Sequence, residues 1–176
     1  MTPGGVVLIT GIPAAGKSTV AQALAEQLPR SVHVRGDLFR RMVVSGRAEM
    51  TPGHNEEALR QLRLRYALAA SVADGYAGAG FTAVVQDVIL GEELPRVVSA
   101  IRSRPLHVVV LAPWPGVVAE RDAARHKTGY AAWDPAGLDS GFRRDTPRLG
   151  LWLDTSAQTP ADTVAEILAR SAEAQV

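Results

Sequence analysis

Val6-Val7-Leu8-Ile9-Thr10-Gly11-Ile12-Pro13-Ala14-Ala15-Gly16-Lys17-Ser18-Thr19-Val20 decides the fold. Its first five residues are apolar or β-branched without a break, the pattern of a parallel strand covered on both faces. Gly11 to Ser18 match G-x-x-x-x-G-K-[ST] in full. Beyond them Val20, Leu24 and Leu28 recur four apart on one helix face, and Pro29 closes the helix expected over Ser18–Leu28. A strand, a glycine loop and a helix N-terminus in that order form a cradle for phosphates. The glycines let the backbone curl so that its N–H groups point inward, and the helix end adds a favourable dipole. In such a cradle Lys17 brings its charge to the β- and γ-phosphates and Ser18 offers a hydroxyl to Mg²⁺. Gly11, Pro13, Ala14, Ala15, Gly16, Lys17, Ser18 and Thr19 are the expected nucleotide-binding residues.

Outward from this stretch, β-branched runs alternate with helical patterns. Ser31–Arg35 reads as a second strand and Leu38–Val44 as a short helix, with Asp37 at its N-cap. Residues 46–55 are a polar loop marked by Gly and Pro. A long helix over 56–78 follows, with Leu59, Leu62, Tyr66, Ala69, Ala73 and Tyr76 at spacings of three and four. Then come strand Phe81–Val88, helix Glu92–Ser103, strand Leu106–Ala112 and helix Pro115–His126, which has proline at its start. Residues 127–147 read as irregular, Gly150–Asp154 as a fifth strand, and Thr159-Pro160-Ala161-Asp162 as a capping box opening the last helix. Strand–helix alternation throughout implies a parallel sheet wrapped by helices, in a single domain over 1–176.

In open α/β sheets, ligands sit beyond the carboxyl ends of the strands. Asp37, after the second strand, is there the expected general base for an acceptor hydroxyl. Asp87, closing Thr82-Ala83-Val84-Val85-Gln86, resembles the carboxylate that holds Mg²⁺ directly or through water. The ending Asp154-Thr155-Ser156 is a weaker third signal. A cover that excludes water and delivers cations is also required. Arg121 and Arg125, four apart on one helix face, and Lys127 beside them lead into a lid expected over about 126–147. Arg60, Arg63 and Arg65 lie on the long helix, at the edge of an acceptor-side loop and helix of about 40–66; they read as its polar face.

Composition narrows the classes. There are 176 residues, 47% of them hydrophobic, enough for a core. Nineteen Lys and Arg against 18 Asp and Glu leave a net charge of +1, with no basic face for nucleic acid. There is no cysteine, so disulfides, thiolate metal sites and cysteine nucleophiles are out. The four histidines lack metal-ligand spacing, no stretch has transmembrane length, and the N-terminus lacks the pattern of a secretory leader. The expectation is a cytoplasmic enzyme that uses ATP and Mg²⁺, takes a small hydroxyl-bearing acceptor, engages neither nucleic acid nor membrane, and is free to form a homo-oligomer.

Gly11–Ser18, Arg35-Gly36-Asp37, the strand ending Gln86-Asp87, Glu120-Arg121-x-x-x-Arg125 and Leu153-Asp154-Thr155-Ser156 fall in the order seen in small P-loop kinases. Among these the chain most resembles the chloramphenicol phosphotransferase-like group of antibiotic phosphotransferases. That resemblance implies an α/β P-loop fold with a five-stranded parallel sheet in the order 2-3-1-4-5 flanked by helices, and a mobile lid carrying arginines. It implies that Asp37 activates the acceptor hydroxyl while Lys17, Arg121 and Arg125 serve the transferring phosphate. The acceptor would be a small molecule such as an antibiotic; the alternatives are a nucleoside, nucleotide or sugar-metabolite kinase, or a nucleotide switch with no acceptor.

Overall fold

The structure is a computed structural model that describes residues 4–53, 55–124 and 134–176. Five strands, β1 (Val6–Thr10), β2 (Ser31–Arg35), β3 (Thr82–Gln86), β4 (Leu106–Leu111) and β5 (Leu151–Leu153), form one sheet in the order β2-β3-β1-β4-β5. All four pairings are parallel. The central register sets Val6 opposite Ala83 on one side and Leu106 on the other. β1, β3 and β4 are buried along their whole length, as their unbroken apolar runs require, whereas the edge strand β2 alternates and leaves Arg35 exposed.

The helices are α1 (Lys17–Gln27), α2 (Gly36–Arg41), α3 (Glu56–Gly78), α4 (Glu93–Ala100), α5 (Pro115–Ala123), α6 (Pro135–Asp145), α7 (Pro160–Ala169) and α8 (Ser171–Ala174). α3 begins on Asn55, whose side chain accepts from the Ala58 N–H, and it lays Tyr66, Ala69, Ala70, Ala73 and Ala77 against the sheet. The small alanines let the 23-residue helix lie close to β3. α7 opens on the expected capping box, with Thr159 and Asp162 bonded reciprocally.

Two expectations are corrected. The segment 127–147 is not irregular from 135 onward. Asp134 caps α6 by accepting from the Gly137 N–H, and the aromatic Phe142 on α6 stacks on Trp152 of β5. Glycines at 137 and 141 hid this helix in the sequence, because they lower its intrinsic propensity while the packing of Phe142 overrides them. Asp37, in turn, does not cap a helix at 38–44. α2 starts two residues earlier, with Arg35 at the N-cap position and Asp37 inside the first turn. No helix among the described residues is long and apolar enough to cross a membrane.

Candidate active site

The loop between β1 and α1 is held in a shape few sequences adopt. Gly11 has φ of 146°, and a Cβ there would lie 2.4 Å from the Leu111 carbonyl, so β1 and β4 close around it only because it has no side chain. Gly16, at φ of 96°, turns the chain into α1, and Ala14 adopts φ of 60° between them. Lys17 is buried and its ammonium donates to the Ile12 carbonyl at 2.7 Å across the loop. Ser18 and Thr19 are exposed on the first turn of α1. The neighbouring strand end is locked to this loop by Thr10, whose hydroxyl accepts from the Ile89 N–H and donates to the Ile89 carbonyl, both at 2.9 Å.

Arg121 comes from α5. One of its guanidinium nitrogens donates to the Thr155 carbonyl at 2.8 Å, and another lies 3.9 Å from where a Cβ on Gly16 would stand. It therefore joins α5, the phosphate loop and the segment after β5. That segment is itself tied back, since the Trp114 indole N–H donates to Asp154 and the Trp114 backbone N–H donates to the Ser156 hydroxyl. Arg143 of α6 donates to the Ala112 and Pro113 carbonyls just past β4 and is paired with Asp139 at 2.8 Å. Arg125, His126 and Lys127, and the first part of the expected lid, lie outside the described residues, as does His54.

The two expected carboxylates sit side by side at the ends of β2 and β3. Asp37 pairs with Arg41 at 2.6 Å and with Arg35 at 3.8 Å, while its Oδ1 has no hydrogen-bond partner among the described residues. Asp87 is only 5% exposed. Its Oδ1 accepts from Arg65 and from the Val88 N–H, each at 2.7 Å, and its Oδ2 has no hydrogen-bond partner among the described residues. Burial pushes the Asp87 carboxyl up to about 6, against the pull of the Arg65 cation, the Val88 N–H and Lys17, with Asp37 adding to the rise.

Arg65 is the residue that the sequence hid. Periodicity assigns it to a polar helix face, and Arg60 and Arg63 obey that assignment by pairing with Glu57 and with Glu93 on α4. Arg65 is on the border of the buried stripe and reaches inward, with only 14% of its side chain exposed. Only the neighbouring Tyr66, which donates to the Val88 carbonyl, hints that this turn of α3 faces β3.

Breaking a buried pair costs about 3–5 kcal/mol because a charge is left without its partner. Arg65→Gln is therefore expected to destabilise the fold by an amount of that order at pH 8. The loss should shrink at pH 5. Without the arginine, the Asp87 carboxyl titrates above its already raised value of about 6, so at pH 5 it is protonated and no buried charge remains. Urea unfolding at the two pH values measures both; equal losses would mean that the pair carries no such charge penalty.

Gly36 completes the contact between the two strand ends. A Cβ there would lie 1.9 Å from Asp87 Oδ2, and the carboxylate cannot swing away without leaving Arg65. Gly36→Ala is expected to cost about 1–3 kcal/mol by overpacking and to displace Asp87, which a melting curve and a turnover assay would report together.

This geometry is that of a phosphate-binding loop flanked by acidic strand ends, and a family described as an AAA domain matches residues 6–140. The chain belongs to that AAA domain family. A UPF0200 protein from Aeropyrum pernix is 43% identical over 58 residues, a stretch that spans 33% of this chain and 31% of that relative. Among solved structures, a sugar kinase from Janibacter superposes with a TM-score of 0.69 at 19% identity, covering 97% of this chain and 95% of its own. The APS kinase CysC of Mycobacterium tuberculosis, in complex with AMPPNP and APS, gives a TM-score of 0.69 at 19% identity, covering 98% and 99%. These two likenesses carry the architecture of the AAA domain chain, a five-stranded parallel sheet with helices on its faces.

Proposed function

We propose that the protein is an ATP- and Mg²⁺-dependent kinase that moves the γ-phosphoryl group onto a hydroxyl of a small molecule. The observation that carries this reading is the convergence, at the carboxyl ends of β1, β2 and β3, of a complete phosphate cradle with two carboxylate oxygens that have no hydrogen-bond partner among the described residues. Gly11–Ser18 would hold the phosphates of ATP, and Arg121 with the segment Asp154-Thr155-Ser156 would line the remainder of its site. The donor set suits Mg²⁺: the Ser18 hydroxyl is exposed beside the cradle, and Asp87 offers its open oxygen to the metal or to a water of its shell. When bound, the ion neutralises charge on the phosphate oxygens.

The chain's own groups do the rest. Lys17 leaves the Ile12 carbonyl for the β- and γ-phosphates, where its charge stabilises the transferring group. Asp37 Oδ1 takes the proton of the acceptor hydroxyl as the oxygen bonds to phosphorus and the bond to the ADP oxygen breaks. Arg121 anchors the lid side, and Arg125, outside the described residues, is proposed as a second cation for the transferring phosphate. A metabolite of the sugar type stands ahead of an antibiotic as the acceptor, supported by the sugar kinase among the structural relatives.

The test is ADP release under MgATP over a panel of sugars, nucleosides and antibiotics, with mass detection of one added phosphate. The parent is expected to bind ATP and to phosphorylate at least one class of alcohol. A parent that neither binds nor consumes ATP ends the reading.

A further inference from the structure

The acceptor side of the site is apolar where a kinase of phosphorylated substrates would be cationic. Nine large hydrophobic side chains are exposed among the described residues, and four of them, Leu38, Met42, Val44 and Met50, crowd into the segment that follows Asp37. Leu38 is 43% exposed, Met42 69% and Val44 98%. Leu38 on α2 and Met42 at its C-cap are four apart, and the Met42 N–H donates to the Leu38 carbonyl, so they share a face. That face adjoins the one formed by Asp37 and Arg41, whose side chains meet. Phe39, by contrast, packs against the core and fixes α2 in place. The exposed pair is therefore held rigidly next to the carboxylate proposed to take the acceptor's proton.

The arginines of the same region are already occupied. Arg35 and Arg41 share Asp37, Arg40 and Arg47 share Glu49, and Arg63 and Arg65 are taken by Glu93 and Asp87. The exposed pairs among these are weak and would yield singly to a phosphate, whereas Arg65 is held in a buried pair. The arginines nearest the strand ends, Arg35, Arg41 and Arg65, are turned onto Asp37 and Asp87 and so answer these carboxylates rather than a bound dianion. An isolated exposed leucine would mean nothing; a cluster continuous with the reaction centre marks a binding surface.

We propose that Leu38 and Met42 form the acceptor-binding wall and that the acceptor is an uncharged sugar-type alcohol carrying an aryl or alkyl group. This rests on the kinase reading above and names its substrate class. The aryl or alkyl group covers Leu38 and Met42 while the hydroxyl reaches Asp37, and the transfer balances as already written: the proton passes to Asp37, the oxygen bonds to phosphorus, and ADP departs.

Two measurements test it. The first needs no substrate. Nile red, an uncharged apolar dye, is titrated into the parent, into Leu38→Ser/Met42→Ser and into the control Leu64→Ser/Leu68→Ser, whose targets are also exposed but lie on α3. Dye affinity is expected to fall about tenfold or more in the first variant and to stay within about twofold in the control. Equal affinity of all three proteins, or an equal loss in the two variants, overturns the proposal. Both variants change exposed side chains, and their melting curves check that each is folded.

The second is ADP release under MgATP with matched acceptors: uridine against uridine 5′-monophosphate, and benzyl β-D-glucopyranoside against methyl β-D-glucopyranoside and gluconate. Turnover is expected for uncharged members, highest for those with the apolar group, and Leu38→Ser/Met42→Ser should raise KM about tenfold with a smaller change in kcat. Preference for the phosphorylated or carboxylated member overturns the proposal. So does turnover indifferent to the double substitution, or failure of every uncharged alcohol by a parent that binds ATP. A parent that does not bind ATP at all, seen by calorimetry, refutes the kinase reading instead, and the dye result then stands apart from it.

Discussion

Lys17→Met is expected to lower phosphoryl transfer by roughly 10²–10³-fold or more, the range for removing one preorganised charge from a developing transition state. Methionine is the informative choice. Lys17 is only 7% exposed, its stem packed inside the loop. Alanine would empty that space and add a packing loss to the catalytic one, whereas methionine fills the space without the ammonium. Truncation of so buried a lysine is not structurally silent. Removing the ammonium also frees the Ile12 carbonyl of its 2.7 Å donor, a loss of about 1 kcal/mol that the melting curve will show. Calorimetry with ATP and ADP-release rates separate binding from transfer. Near-parental turnover would refute the cradle assignment.

Asp37→Asn is expected to leave ATP binding at the parental level and to slow transfer on the order of 10²–10⁴-fold, equivalent to about 3–5 kcal/mol of barrier. The stability side of this experiment is simpler than a helix cap would make it. Asp37 lies within the first turn of α2 and touches Arg35 and Arg41 at the surface, so the substitution gives up exposed pairs worth about 0.2–1 kcal/mol each. A rate loss of that size beside so small a change in stability cannot come from misfolding. Parental turnover in the Asp37→Asn variant would move the base to Asp87, whose open Oδ2 is the other candidate at the same strand ends.

The parts of this protein that were legible in the sequence are those in which a local rule and the fold agree. Gly11 and Gly16 are demanded by the backbone itself, so their spacing identifies the loop before any contact is known. The unbroken runs in β1, β3 and β4 announce burial on both faces. Asp37 and Asp87 could be found because a parallel sheet gathers its strand ends on one edge. What could not be read was set by tertiary contact. Arg65 looks like any arginine of an amphipathic helix until β3 brings Asp87 to it 22 residues later in the chain. α6 disappears among its glycines because its support is Trp152, on another element. Asp37 was displaced from its expected cap by two residues, since Gly36 can enter the helix while its missing side chain makes room for Asp87.

α3 is fastened unevenly along its length. From Tyr66 onward it carries five of its six buried residues, and Asp74 accepts from the backbone N–H groups of Arg102 and Ser103 beyond α4. Before Arg65 its only buried residue is Ala58, and its neighbour there is the short α2. The ion pair with Asp87 lies at the boundary between these two parts. Opening of the first two turns, 56–63, therefore needs far less surface exposed than opening of the remainder, and their amides should exchange with deuterium well before those of 66–77. The first turns of α3 would thus loosen as a unit of their own while the rest of the helix stays shut against the sheet, and substitutions in those turns in evolution would leave the sheet's stability almost untouched.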